Sequence, residues 1–270
     1  MRRALLLVAL LCGCASAPTS GLVFGVMGDV PYTAGEVQRL EALIDDINRE
    51  RLDFVVHVGD IGGNACDDAT LEARKRQFAR IRHPFILIPG DNEWVDCPAP
   101  LARLAAWRRY FCEVPLSVER QAGEYCEHMR WSAGGNSGGF LFVTLNVQGT
   151  NNNVRNLAEH WKRMTAVHSW LDDCAALAER ERLGLVVVMQ GDPFIVLPRD
   201  GYADLREHLV RLGALLPGRL LLVHGDSHTY HDDEPLPGVR RLEVWGSPIV
   251  SWIRGEVDGG ELRFSAPRYR

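Results

Sequence analysis

The sequence has no basic excess, no long apolar run and none of the short motifs that mark the commonest nucleotide and ester chemistries. Lys and Arg number 30 against 35 Asp and Glu, a formal net charge of −5. A general nucleic-acid binder would lean on the opposite balance. Residues 5–11 are apolar, far short of the roughly 20 residues that a bilayer span takes. There is no G-x-x-x-x-G-K-[ST] loop to cradle a nucleoside triphosphate and no H-E-x-x-H zinc pattern. There is no G-x-S-x-G, which counts against an ordinary serine esterase. None of the seven cysteines has zinc-site spacing. No internal repeat or low-complexity linker interrupts the chain. What remains is ordinary globular composition, 46% hydrophobic and 24% charged over 270 residues, and one domain from about residue 20 to the end is the simplest organisation.

The first 19 residues read as an export signal. Arg2 and Arg3 form a charged start and the short apolar run follows. Two processing sites compete: an A-x-A type site at Ala15-Ser16-Ala17, and Leu11-Cys12-Gly13-Cys14, which resembles the bacterial lipoprotein box. The second is favoured and implies a lipid on Cys14. The expectation is an exported protein of the bacterial periplasm or outer membrane, touching membrane only through that lipid. An oxidising compartment permits disulfides. Cys66 and Cys97 sit in loops that a bridge could join, Cys112 and Cys126 could pair locally, and Cys174 reads as a buried free thiol. Connectivity stays open at this level.

Beyond the signal, apolar runs alternate with helical patterns. Strands are expected over 22–27, 54–58, 85–88, 139–146, 185–189 and 220–224, with shorter ones near 241–245 and 261–264. Helices are expected over 36–50, 70–81, 101–111, 157–182 and 202–212. The alternation predicts α/β architecture with helices covering the sheet faces. Residues 133–139 and 147–153, the latter with three consecutive asparagines, read as loops.

One event recurs three times. An apolar strand ends, a glycine follows, then an aspartate: Gly28-Asp29, Gly59-Asp60 and Gly90-Asp91. In an open α/β sheet, ligands gather outside the carboxyl ends of the strands. Three carboxylates on one rim repel one another unless a cation sits between them, and hard divalent metals suit carboxylate oxygen. A turn or helix cap explains any single Gly-Asp; three at successive strand ends point to a site. Two later strands run into Gln190-Gly191-Asp192-Pro193 and Gly225-Asp226-Ser227-His228.

In that order the segments resemble the calcineurin-like metallophosphoesterase superfamily, whose motifs are D-x-H, G-D, G-N-H-[DE], a late-strand His, and G-H-x-H. Here they read DVP, GD, GDNE, MQGDP and GDSH between residues 22 and 230. Gly90 to Trp94 and His224 to His228 are similar to a bacterial subgroup of that family. The resemblance implies an α/β/β/α sandwich of two mixed sheets flanked by helices, two divalent ions, a phosphorylated small-molecule substrate, and hydrolysis of a phosphomonoester or phosphodiester. By it, Asp60 bridges both ions, Asp29 and His228 complete one site, and Asp91 and Asp226 complete the other with Gln190. The departures are systematic. Pro31 stands for a His, Asp91 for an Asn, Asn92 for a His, Gln190 for a His and Asp226 for a His. Charged oxygen has replaced neutral ligands, so magnesium or manganese is favoured, calcium is possible, and zinc is disfavoured.

Asn92 occupies the place of the family's proton donor, and an amide has no titratable proton. It can hydrogen-bond a phosphate oxygen. His224 and His57 are candidate donors by nearness, although both lie at strand positions where a core histidine is the plainer reading. The alternative to an enzyme is an impaired metal- or phosphate-ligand-binding envelope lipoprotein.

Overall fold

The structure, a computed structural model, describes residues 21–134, 139–258 and 260–266. The expected export segment with Cys14 lies outside the described residues, as does part of the expected 133–139 loop. No helix among the described residues is long and apolar enough to cross a membrane.

Two sheets carry the fold. In the first, β1 (Val23–Met27), β2 (Phe54–His57) and β3 (Phe85–Leu87) run parallel, and β11 (Ile253–Asp258) and β12 (Glu261–Ser265) extend them antiparallel in the order β12-β11-β1-β2-β3. The second has the order β4-β5-β6-β7-β8-β10-β9. It is built from β4 (Glu119–Arg120), β5 (Met129–Ala133), β6 (Phe140–Thr144), β7 (Gly184–Val188), β8 (Leu220–His224), β9 (His231–Leu236) and β10 (Val239–Glu243). Within it β6, β7, β8 and β10 are mutually parallel.

Side-chain alternation assembles the layers. Phe24, Val26, Phe54 and Val56 of the first sheet meet Phe142, Val186, Val188, Leu221 and Val223 of the second in one shared core. The rings of Phe24, Phe54 and Phe142 lie 5.0–5.4 Å apart there. Each such buried side chain contributes about 1.5–3 kcal/mol. The alternate residues of each strand point the other way. Val55 and Met27 pack against α1 (Ala34–Ile47), α2 (Asp68–Phe78) and α3 (Pro100–Phe111). Leu185, Val187, Leu220 and Leu222 pack against α5 (Leu157–Glu181) and α6 (Ala203–Leu215). Because both faces of each sheet are covered, the central strands read as unbroken apolar runs. The result is the expected α/β/β/α sandwich.

Four strands were not expected, β11 (Ile253–Asp258) among them. β4 is two exposed residues, β5 is a short run beyond the disulfide region, and β9 (HDDEPL) is a polar edge strand, the charged kind that discourages further pairing. Asp232 and Asp233 lie on β9. There they pair with Arg240 and Arg241 at 2.8 and 2.6 Å. The 147–153 segment holds one left-handed turn, α4 (Gly149–Asn152), with positive φ at Thr150, Asn151 and Asn152.

Cys66 is bonded to Cys97 and Cys112 to Cys126, with Cα separations of 5.4 and 5.7 Å, within the usual range. Cys174 is free and buried. The first bridge ties the loop after β2 to the loop after the 3-10 turn η1 (Asp91–Glu93). Closing 31 residues restricts the unfolded chain enough that the Cys66→Ser/Cys97→Ser pair should lose about 3 kcal/mol of stability. Urea unfolding of the variant and the parent checks this.

Candidate active site

The parallel strands deliver the predicted residues to one rim. Asp29 follows β1, Asp60 follows β2, Asp91 opens η1 after β3, Gln190 follows β7, and Asp226 and His228 follow β8. Asp29, Asp60, Asp226 and His228 have φ of 52, 59, 78 and 62°, a left-handed backbone that non-glycine residues seldom adopt. Such strain concentrates at functional sites. Close approach explains the glycines beside them. A Cβ on Gly225 would lie 2.0 Å from Asp29 Oδ2. One on Gly149 would lie 2.3 Å from Asp226 Oδ1 and 2.7 Å from Asp91 Oδ1, so these two carboxylates face the same small space.

Hydrogen bonds hold the cluster in register. The Asp226 amide donates to Asp29 Oδ1 at 3.0 Å, and the Asp192 amide donates to Asp226 Oδ2 at 3.0 Å. Asn92 donates to Asp60 through its backbone at 3.2 Å and through its side-chain amide at 2.9 Å. Thr150 Oγ1 donates to Asp91 Oδ2 at 2.7 Å. Glu93 is a brace: its buried carboxylate accepts from the backbone amides of Gly90 at 2.5 Å, Asp60 at 3.2 Å and Ile61, tying the turns after β2 and β3 together. Gln190 is held between two partners. Gly149 N–H donates to its Oε1 at 2.5 Å and its Nε2 reaches Asp226 Oδ1 at 3.5 Å. That fixes the amide orientation and leaves one lone pair on the oxygen for an ion.

His228 is set up as a ligand. Its Nδ1 donates to the Ser247 carbonyl at 2.8 Å, which leaves the lone pair on Nε2, facing the rim. That Nε2 lies 3.3 Å from Tyr32 Oη and 3.9 Å from Asp29 Oδ1. Tyr32 is the site residue that the sequence reading missed. Its hydroxyl donates to Asp60 Oδ2 at 2.7 Å and accepts from Asn92 Nδ2 at 2.9 Å. Its only signal was its place directly after the DVP segment. The two candidate donor histidines sit elsewhere. His224 is fully buried, its Nδ1 donates to the Gly225 carbonyl at 2.9 Å, and its Nε2 has no partner. Burial pushes it down to about 4, and it makes no hydrogen bond to a rim carboxylate. His57 accepts from Gly59 N–H and bonds the Val30 carbonyl, both at 3.2 Å, and burial pushes it down to about 3. Both are neutral core histidines.

Electrostatically the rim is frustrated. Among the described residues, His228 is the one potential cation within ion-pair reach of Asp29, Asp60, Asp91 or Asp226. Burial, then the neighbouring carboxylates, raise Asp29, Asp60 and Asp226, the last to about 7, while burial first of all raises Asp91. Burial likewise lifts Glu93 to about 7. Asp29 Oδ2 and Asp91 Oδ1 are buried with no hydrogen-bond partner, an expensive arrangement unless a cation completes it. The donor set therefore fits hard divalent ions. No three of the rim's carboxylate and imidazole donors close within 4.8 Å of one another. The one described triple that does, Cys112, Cys126 and Glu127, has its sulfurs bonded to each other and is no metal site. Cavity size does not locate the site, since a cleft of about 660 Å³ lies at the opposite strand ends beside Gly218, Asp232 and Arg240.

A carboxylate held above its unfolded pKa binds its proton more tightly when folded. Its contribution is therefore full below the ordinary carboxylate range and is lost as pH rises through the folded value, about 7 for Asp226 and Glu93. Metal-free protein should melt at a lower temperature at about pH 8 than at about pH 5, and manganese should restore most of the loss at the higher pH, where the ligands are ionised. Thermal melts at both pH values, with and without the ion, check this.

The Metallophos family model, described as calcineurin-like phosphoesterase, matches residues 22–230, which contain every rim residue. Among solved structures, a dimetal phosphatase from Danio rerio is 14% identical with a TM-score of 0.63, covering 92% of this chain and 96% of that one. GAP50, the anchor in the inner membrane complex of Plasmodium, is 13% identical with a TM-score of 0.62, covering 92% and 84%. A purple acid phosphatase from yellow lupin is 13% identical with a TM-score of 0.51, covering 93% and 52%. At these identities the structures show a shared fold. No curated protein matches by sequence. The family match spans the rim from β1 to the GDSH turn, and the protein therefore belongs to the calcineurin-like phosphoesterase family, as a metal-dependent hydrolase.

Proposed function

We propose that the rim hydrolyses a phosphomonoester or phosphodiester of a small molecule with the help of two divalent ions, magnesium or manganese before calcium or zinc. The carrying observation is the pair of buried, unpartnered oxygens Asp29 Oδ2 and Asp91 Oδ1 in a cluster of four carboxylates. Asp29, Asp60 and His228 would hold one ion, and Asp60, Asp91 and Asp226 the other, with the free lone pair of Gln190. When bound, the ions supply Lewis acidity, neutralising phosphoryl charge and making water a nucleophile near neutral pH. The chain's own work is positional. Tyr32 Oη and Asn92 Nδ2 both donate to Asp60 Oδ2, at 2.7 and 2.9 Å, and hold that carboxylate in place. Glu93 keeps the two supporting turns fixed. Neither Asn92 nor buried, neutral His224 offers an acidic proton for the leaving oxygen, so esters of acidic alcohols and phenols suit the site best.

The export signal, with Cys14 as a lipid attachment point, supports a place in the bacterial periplasm or outer membrane. A second reading, an envelope protein that binds metal or a phosphate ligand with little turnover, draws on one observation: the proton-donor position is an amide.

The test is Asp60→Asn. Turnover of aryl phosphates with manganese or magnesium should fall by more than about a hundredfold, beyond the loss usual for removing a group that only braces a ligand, and calorimetry should show weaker metal binding. Turnover by the parent should also drop steeply as the leaving phenol becomes less acidic, a trend read from a series of substituted aryl phosphates. Folded parent protein that binds metal and hydrolyses no ester with any ion would move the assignment to the second reading.

A further inference from the structure

The 193–200 segment leaves the rim and returns to it. At its start, the Asp192 amide bonds the rim carboxylate of Asp226 at 3.0 Å. At its end, Gly201 N–H donates to Asn151 Oδ1 at 2.8 Å, and Asn151 Nδ2 donates to the Arg199 carbonyl. Asn151 follows Thr150, whose hydroxyl touches both Asp91 and Asp96. Both ends are thus pinned beside metal-site carboxylates. Between them stand Ile195, Val196 and Leu197, which are 42, 69 and 42% exposed. Three adjacent apolar side chains there face water, a small exposed apolar patch on a segment whose two ends are fixed beside the rim.

The same segment walls a cleft of about 330 Å³ against the start of α5, lined by Leu157, Trp161, Met164 and Arg199 among others. That is ligand-sized. Leu157 and Trp161 are 46 and 55% exposed. The cleft's polar groups are largely satisfied within the protein. His160 Nδ1 bonds the Asn152 carbonyl at 2.8 Å, His168 Nδ1 bonds His208 Nδ1 at 2.8 Å, Thr165 donates to the Trp161 carbonyl at 2.8 Å, and Asp200 is paired with Arg206. Arg199 and Asp204 are exposed charged groups of the lining, and beside them a ligand would meet hydrocarbon from Val154, Leu157, Trp161 and Met164. Val154, another wall residue, is four residues from Thr150, and four residues of chain span no more than about 14 Å. One substrate can therefore reach from the carboxylates to the cleft.

We propose that the substrate is a soluble phosphoester carrying an apolar group, which lies across the 149–153 turn into this cleft and against Ile195, Val196 and Leu197 while the phosphoryl group sits at the aspartates. This rests on the phosphoesterase reading and adds the substrate class to it. The apolar contact sets specificity and does not take part in the chemistry.

The experiment is a series of monomeric 4-n-alkylphenyl phosphates, from ethyl to octyl and below their micelle concentrations, whose leaving phenols are alike in acidity, assayed for phosphate release by the manganese-loaded protein. kcat/KM should rise with chain length, by up to about fourfold per buried methylene. The Trp161→Ser/Val196→Ser variant, changed at exposed positions, should flatten the series with its melting temperature unchanged. A flat series in active parent protein would overturn the inference and leave the phosphoesterase reading standing. Hydrolysis of phosphatidic acid in vesicles, with no chain-length preference among the monomers, would also overturn it, in favour of a membrane surface. If no ester turns over, calorimetry of octylphosphonate against ethylphosphonate reads the same preference without catalysis. Tighter octylphosphonate binding, lost in the variant, supports the cleft, and equal binding overturns it.

Discussion

Three buried carboxylates and a half-buried fourth repel one another, and the structure around them is arranged to hold them together all the same. Asp29, Asp60, Asp91 and Asp226 come from four strands of two sheets, and burial and mutual charge raise Asp29, Asp60 and Asp226 well above their ordinary range. Left-handed backbone at three of them, Gly149 and Gly225, where a Cβ would not fit, and the brace of Glu93 across two turns all work against that repulsion. Such an arrangement costs the metal-free chain stability and makes sense when cations complete it.

The sandwich makes the convergence possible. Parallel strands β1, β2 and β3 end on the same side as β7 and β8, and the shared aromatic and aliphatic core fixes the two sheets face to face. A carboxylate that begins each following turn then has little freedom left. The Cys66–Cys97 bridge fastens the loops behind Asp60 and Asp91. The same topology keeps the larger cleft beside Arg240 and Asp232, at the other strand ends, away from the chemistry.

Much of this was legible in the sequence because strand ends and glycine-aspartate steps are local features. Gly28-Asp29, Gly59-Asp60 and Gly90-Asp91 announced both the strand ends and the rim, and Asp226 and His228 followed the same grammar. Polar edge strand β9 was not legible, since charges on a sheet edge show no apolar alternation. Tyr32 was missed because its role comes from a neighbour 28 residues away, Asp60, to which its hydroxyl donates. Nearness in sequence misled for His57 and His224. Strand alternation turns both rings away from the rim, and burial leaves them neutral. The three asparagines at 151–153 read as a loop, and the reason is now physical. Residues 150–153 all have φ between 48 and 55°, a conformation that asparagine tolerates better than most residues.

The rim is rich in oxygen donors, and an amide, Asn92, stands beside Asp60. Everything turns on whether cations occupy the carboxylate cluster. Anomalous diffraction from crystals grown with manganese addresses that directly. Two anomalous peaks about 3.5–4 Å apart, flanking Asp60 with Asp29 and His228 on one side and Asp91 and Asp226 on the other, are the expected result. A cluster free of anomalous density, with Asp29 Oδ2 and Asp91 Oδ1 instead protonated and bonded within the protein, would contradict it.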